Sequence, residues 1–196
     1  MNSINALVVR YCPTPEYAKT YSRTLEWLGE KGIDILTYDN TPRNIGLTAA
    51  RNILVNISQA DVVVLMDFDL KFGPMDFEAM AQKAMEPDIG LVMPRTEGIG
   101  KEEPQDWQPI KRPQCSCIVI ERALLFEIGG LDERYFIAYA DWDLLNRLEE
   151  RGLRVLQHNQ SRIREHYGLS RATKGKRAIW AKDRAVYQQQ YGKKWR

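Results

Sequence analysis

The sequence predicts an α/β fold, with layers of helices around a mostly parallel central sheet. Three observations lead there. Short β-branched runs alternate with segments of helical periodicity along most of the chain. One run, Val62 to Met66, is apolar at every position, as a strand covered on both faces requires. The acidic residues Asp39, Asp67 and Asp69 fall at strand ends, the edge where open parallel sheets carry their ligands. Residues 1–170 are expected to form one compact domain, and 171–196 a basic helical tail packed on it or extending from it.

The elements follow in order. "INALVVRY" is a strand closed by a loop at Pro13 and Pro15. "PEYAKTYSRTLEWLGEKG" sets Tyr17, Tyr21, Leu25 and Leu28 at helical spacing and stops at Gly32. "IDILTYD" is a second strand, "GLTAARNILVNISQ" a helix, and "ADVVVLMDFD" the third strand. The helix "MDFEAMAQKAM" and the strand "IGLVMP" come next. Residues 95 to 114 have no period and many Pro, Gly and charges; a loop so long inside a compact domain usually serves a site. "CSCIVIERALLFEIGG" resumes the strand–helix pattern, "DWDLLNRLEERG" is a helix ending at Gly152, and "LRVLQH" is the last strand.

With 196 residues, 44% of them hydrophobic and 28% charged, the chain can bury an ordinary core. It has no repeats, heptads or low-complexity stretch, and no apolar run near the roughly 20 residues that span a bilayer. "MNSINALVVRYC" reads as a strand and not a secretory leader, so a cytoplasmic location is expected. Cys12, Cys115 and Cys117 lack the spacing of a zinc site and read as reduced thiols. Charge is uneven: nine Lys or Arg and one Asp lie between Arg171 and Arg196, so the preceding residues are net acidic. The basic end must face water or something anionic.

Two Asp one residue apart at a strand end point roughly the same way. Carboxylates that close repel, and a divalent cation or a shared proton relieves them. Oxygen ligands suit magnesium or manganese, which bridge to phosphate oxygens, so a nucleoside diphosphate is the natural companion. A solvated turn is the plain alternative. Upstream, Arg51 sits where its guanidinium can fork onto phosphate or onto Asp67. Downstream, Asp141 and Asp143 open a helix, where one acidic residue suffices as a cap and a second is free to act as a base.

Four segments, "NIGLTAARN", "VVLMDFD", "GGLDERYFIAYADWDLLNRLEERG" and "HYGLS", in this order and spacing, resemble the inverting glycosyltransferases of family 2. The resemblance spans roughly residues 5 to 170 and implies the GT-A fold, a Rossmann-like three-layer α/β/α sandwich. It implies transfer of a sugar from a nucleotide-diphosphate donor to an acceptor hydroxyl, on a glycan, a lipid-linked acceptor or another polymer, with inversion and with Mn2+ or Mg2+. It makes Asp67 and Asp69 the DxD pair, with Asp69 on the metal and Asp67 toward the ribose, sugar or metal. Asp141 becomes the base, His166 a residue near the metal, Asp39 the partner of the nucleobase, and Tyr11 a stacking ring. Asn44 and Arg51 join the donor site. UDP is the commonest nucleotide in the family, with GDP and dTDP as alternatives.

Two departures accompany the likeness. Asp39 and Asn44 are five positions apart where relatives carry another helix and strand, so the sheet is expected to lack an element. Ala140 replaces the Glu that relatives place before the catalytic Asp, leaving Asp143 or Glu133 to substitute. His158 reads as structural or surface, Trp107 as a sugar platform or a loop anchor, and Phe68 and Trp142 as walls of the donor pocket, with core packing the plainer reading for Phe68. In the tail, Ile179, Trp180, Val186, Tyr187 and Tyr191 form one apolar helix face among cations. That face docks on the domain, or meets an anionic membrane surface at the inner leaflet or an anionic polymer; no nucleic-acid motif is present. Lys174, Lys176 and Arg177 are candidates to fold over the donor diphosphate. The rival functions are a sugar-phosphate nucleotidylyltransferase, for which no Gly-rich N-terminal phosphate loop exists, and a non-catalytic nucleotide-sugar-binding module.

Overall fold

The computed structural model describes residues 2–98, 105–110, 116–165 and 175–192. The strands are β1 Ile4–Arg10, β2 Asp34–Asp39, β3 Val62–Met66, β4 Leu70–Phe72, β5 Ile89–Thr96, β6 Trp107–Pro109, β7 Cys117–Glu121 and β8 Arg154–Glu165. The helices are α1 Pro15–Glu30, α2 Leu47–Ile57, α3 Phe77–Ala84, α4 Arg122–Glu127, α5 Ala140–Glu150 and α6 Lys176–Tyr191. The sheet order is β2-β1-β3-β7-β5-β8-β4, with β6 paired to β8. β1, β2, β3, β5 and β8 run one way, and β7, β4 and β6 run the other. The sheet is therefore mixed, mostly parallel by direction.

Side-chain alternation divides the core into two layers. Val62, Val64 and Met66 of β3 face Tyr21 and Leu28 of α1 and Phe77, Met80 and Ala84 of α3. Val63 and Leu65 face Leu54 and Val55 of α2, Leu125 of α4, and Leu144 and Leu148 of α5. Both sets are buried, which is why β3 is apolar without a break. Local chemistry sets the helix ends: Pro15 opens α1, Gly32 follows its end at φ 66°, and the Asp76 carboxylate accepts from Ala79 N at 2.9 Å to start α3.

The long 95–114 segment is less plain than its composition suggests. It contains β6, which pairs with β8, while residues 99–104 and 111–115 lie outside the described set. Strand β8 is twice the length of "LRVLQH", because its register with β5 jumps from Pro94↔His158 to Arg95↔Arg162. Polar residues fill the gap, and polar residues hid the continuation from a hydrophobic pattern. Asn159 donates to Gln105 O at 2.7 Å, and Ser161 Oγ accepts from Asp76 N at 2.9 Å. Residues 40–46 join β2 to α2, and β2 is an edge of the sheet.

Candidate active site

The carboxyl ends of β1, β2 and β3 meet at one edge. At the outer end, Arg10 Nη1 donates to Asp39 Oδ2 at 2.7 Å, and Thr41 N donates to Asp39 Oδ1 at 2.9 Å. The Thr41 hydrogen bonds, helped by Arg10, hold the Asp39 carboxyl below its ordinary range. Tyr11 is half-buried beside this pair. The next link is built on asparagines: Asn44 Oδ1 accepts from Gly46 N and from Asn40 Nδ2, both at 3.1 Å, while Ile45 N donates to Asn40 Oδ1 at 2.9 Å. Asn44 thus shapes the entry to α2 with its own side chain.

Asp67 and Asp69 leave β3 in a tight turn fixed from three sides. Asp67 N donates to Ser116 O at 2.8 Å, Thr24 Oγ1 of α1 donates to Phe68 O at 2.6 Å, and Arg51 Nη2 of α2 donates to Asp67 Oδ1 at 2.9 Å. Arg51 is buried, while the Asp67 side chain keeps about a third of its surface in solvent. Phe68 turns into the core against Tyr17 and Tyr21.

Asp141 lies on the first turn of α5, half-buried, with Trp142 N donating to its Oδ1 at 2.9 Å. Burial pushes its carboxyl above the ordinary Asp value; the Trp142 N–H and Arg51 pull it down, and Asp67 adds to the rise. Residue 139 delivers it: Tyr139 has φ 70° and ψ −12°, the one left-handed non-glycine backbone among the described residues.

The segment before Asp141 is tied to α2. Asn52 Nδ2 donates to Leu131 O at 2.8 Å and to Glu133 Oε1 at 2.9 Å, and Asn52 Oδ1 accepts from Leu131 N at 3.0 Å. Leu47 N donates to Phe136 O at 2.7 Å. At that contact Gly46 has φ 96°, and a Cβ there would sit 2.8 Å from Phe136 O. Adjacent residues of one helix, Arg51 and Asn52, thus hold the end of β3 and the segment leading to Asp141. That explains why "AARN" accompanies both acidic motifs.

The substitutes for the missing Glu are engaged elsewhere. Asp143 is fully buried against Arg147 at 2.7 Å and accepts from Tyr191 OH at 2.7 Å. Glu133 takes the Asn52 amide. Trp107 stacks on His158 at 4.4 Å with Lys83 over its ring, which makes it a loop anchor. His158 is buried, its Nδ1 2.9 Å from Ser161 Oγ. Cys12 and Cys117 are free thiols, the first half-buried and the second buried. His166, Cys115 and Lys174 lie outside the described residues. On α6, Tyr187 is buried and Val186 and Tyr191 pack with it, whereas Trp180 is exposed under Lys176.

Sequence reasoning missed one residue of consequence, Asp183. Its buried carboxylate accepts from Phe136 N at 3.0 Å and from Ile137 N and Ala138 N at 2.9 Å each. The signal was present: it is the lone acid in a basic tail, four residues before Tyr187 and eight before Tyr191.

Among the described residues no three His, Cys, Asp or Glu side chains group as a complete metal site. Asp67 and Asp69 nevertheless offer the donor set that Mg2+ or Mn2+ takes, one or two hard carboxylates completed by water and substrate phosphate. The residues fit such an ion.

Residues 13–143 match the model of glycosyl transferase family 2. No curated protein matches the chain. Solved structures share its fold. GalNAc-T7 with UDP, GalNAc and Mn2+ has TM-score 0.62 at 13% identity, over 84% of this chain and 44% of that one. The mannosyltransferase PcManGT from Pyrobaculum calidifontis, in complex with GDP-Man and Mn2+, has TM-score 0.62 at 15% identity, over 92% of this chain and 61% of that one. TarS of S. aureus has TM-score 0.57 at 12% identity, over 83% of this chain and 36% of that one. The chain spans 36% to 61% of the length of these three proteins.

Proposed function

The chain belongs to glycosyl transferase family 2, and from that premise we propose that it transfers a sugar from a nucleotide-diphosphate donor to an acceptor hydroxyl, with a divalent metal and with inversion. One observation carries the reading: adjacent residues of α2 hold both acidic motifs, Arg51 on Asp67 at 2.9 Å and Asn52 on Leu131 and Glu133 of the segment leading to Asp141. Residues 1–170 make the transferase domain, and 171–196 a tail that serves it.

Asp69 and Asp67 would hold Mn2+ or Mg2+, and the ion would supply neutralisation of the charge that grows on the departing diphosphate; His166, the third residue proposed for the ion, lies outside the described residues. Asp39 and Tyr11, at the outer end of the edge, receive the nucleobase. Asn44 shapes the loop between them and α2. Arg51 fixes the Asp67 carboxylate in one orientation, so the donor site is ordered before the donor arrives. Asp141 takes the proton from the acceptor hydroxyl as the oxygen attacks the anomeric carbon. Its desolvated carboxylate is a stronger base than a solvated Asp. A single displacement by that oxygen inverts the configuration at the anomeric carbon.

GalNAc-T7 is solved with UDP, GalNAc and Mn2+ and PcManGT with GDP-Man and Mn2+, which supports a metal and a nucleoside diphosphate here and leaves the base open. Calorimetric titration of UDP, GDP and dTDP, with and without Mn2+, tests the donor site. Binding of one nucleotide that needs the metal and is lost in Asp69→Asn is expected. Binding of none in the presence of Mn2+ would remove the donor-site assignment.

A further inference from the structure

The family match ends at residue 143, yet the chain beyond it reaches back to the segment that carries Asp141. Phe136, Ile137 and Ala138 turn three successive backbone N–H groups toward one point, a nest that binds an anion. The Asp183 carboxylate of α6 fills it, with Oδ1 on Phe136 N and Oδ2 on the other two. Three charge-assisted hydrogen bonds satisfy a carboxylate that has no solvent contact.

The same segment is gripped from its other side. Phe136 N goes to Asp183 on α6, while Phe136 O accepts from Leu47 N on α2. Next in the chain is Tyr139 in its left-handed conformation, a state disfavoured for any residue with a Cβ that persists only when its surroundings enforce it. Its ring lies 5.5 Å from that of Tyr187, one turn along α6 from Asp183. Helix α6 is itself latched to α5: Tyr191 OH and Gln190 Nε2 donate to Asp143, and Asn146 Nδ2 donates to Tyr187 OH at 2.8 Å.

We propose that Asp183 is a positioning residue for the transfer: it closes the 136–138 nest, holds the strained turn at Tyr139, and so fixes where Asp141 stands. The basic tail is then part of the catalytic apparatus, working through the backbone and not through its cations. Asp183 touches no reacting atom. The proposal rests on the reading of Asp141 as the base.

The test uses the full chain with Asp183→Ala, Asp183→Asn and Asp141→Asn. It reads kcat and KM for donor consumption, nucleotide affinity with Mn2+, and hydrogen exchange of the 136–138 amides. Asp183→Ala is expected to lower kcat about 100-fold while leaving nucleotide Kd within about twofold, because the base is misplaced and the donor site is untouched. Formate, small enough to refill the nest, should restore roughly tenfold of that loss in Asp183→Ala and none in Asp141→Asn. Asp183→Asn keeps the shape of the side chain but turns an N–H2 toward N–H donors, so it lowers kcat if Asp183→Ala fails to fold. Full kcat in a folded variant, a parallel loss of nucleotide binding, or the absence of formate rescue would overturn the proposal. A wild type that consumes no donor overturns the functional reading by itself. The anchor then stands or falls on exchange: faster exchange at 136–138 in Asp183→Asn sustains it, and unchanged protection overturns it.

Discussion

Asn52 holds both backbone polar groups of Leu131, donating to its carbonyl at 2.8 Å and accepting from its N–H at 3.0 Å. With Arg51 on Asp67, this makes α2 the common support of both acidic motifs.

Removing the grip leaves two backbone groups of Leu131 without those partners. Asn52→Ala should cost about 2 kcal/mol of folding stability. Asn52→Asp should cost at least as much, since a carboxylate would face the Leu131 carbonyl and Glu133. Urea unfolding measures both, and an Asp variant as stable as wild type would contradict the assignment.

Gly46 is held to glycine by conformation and by space. Its φ 96° and ψ 157° lie in a region open essentially to glycine, and an added Cβ would stand 2.8 Å from Phe136 O. Gly46→Ala should lose about 1–3 kcal/mol of stability. It should also lower activity by displacing the segment before Asp141. Denaturant unfolding paired with a donor-consumption assay checks both effects.

His158 gives a pH dependence of defined sign. Burial lowers its pKa from 6.5, with Asp76 and Asp106 opposing the shift. The unfolded chain therefore takes up a proton first as pH falls through about 6.5, and the stability held by neutral His158 is lost below that point. His158→Gln should destabilise the protein at pH 7.5, and its gap from wild type should narrow toward pH 5. Thermal unfolding across that range reads the gap; a constant gap would contradict a buried neutral imidazole.

Cys117 sits behind the Asp67 turn, and burial pushes its thiol up to about 12. It should resist alkylation at pH 8 in the native protein and react once unfolded, whereas half-buried Cys12 labels first. Mass spectrometry of iodoacetamide-treated protein distinguishes the two sites.

The layers, the buried β3 and the sheet edge bearing Asp39, Asp67 and Asp69 were legible because they are written in hydrophobic period and in the spacing of charges. Strand β6 and the outer half of β8 were not, because their residues are polar and their pairing partners are distant in sequence. The reversed direction of β7 was equally hidden, since antiparallel and parallel strands at the sheet centre carry the same apolar pattern. Within the site, residue type pointed to the two carboxylate groups but not to how they are held. Asp143 was a candidate cap, base or substitute for the Glu and is buried against Arg147, and Asp183, only counted as a charge of the tail, closes a backbone nest.

Consumption of UDP-, GDP- and dTDP-sugars with Mn2+, followed by NMR for wild type and Asp141→Asn, tests the central claim most directly. One donor should be consumed by the wild type. Asp141→Asn should bind its nucleotide as tightly yet turn it over about 1,000-fold more slowly, the span a positioned general base supplies. Equal turnover in the variant would contradict the role of Asp141. A nucleotide that binds with no donor consumed would make the chain a binding module and not a transferase.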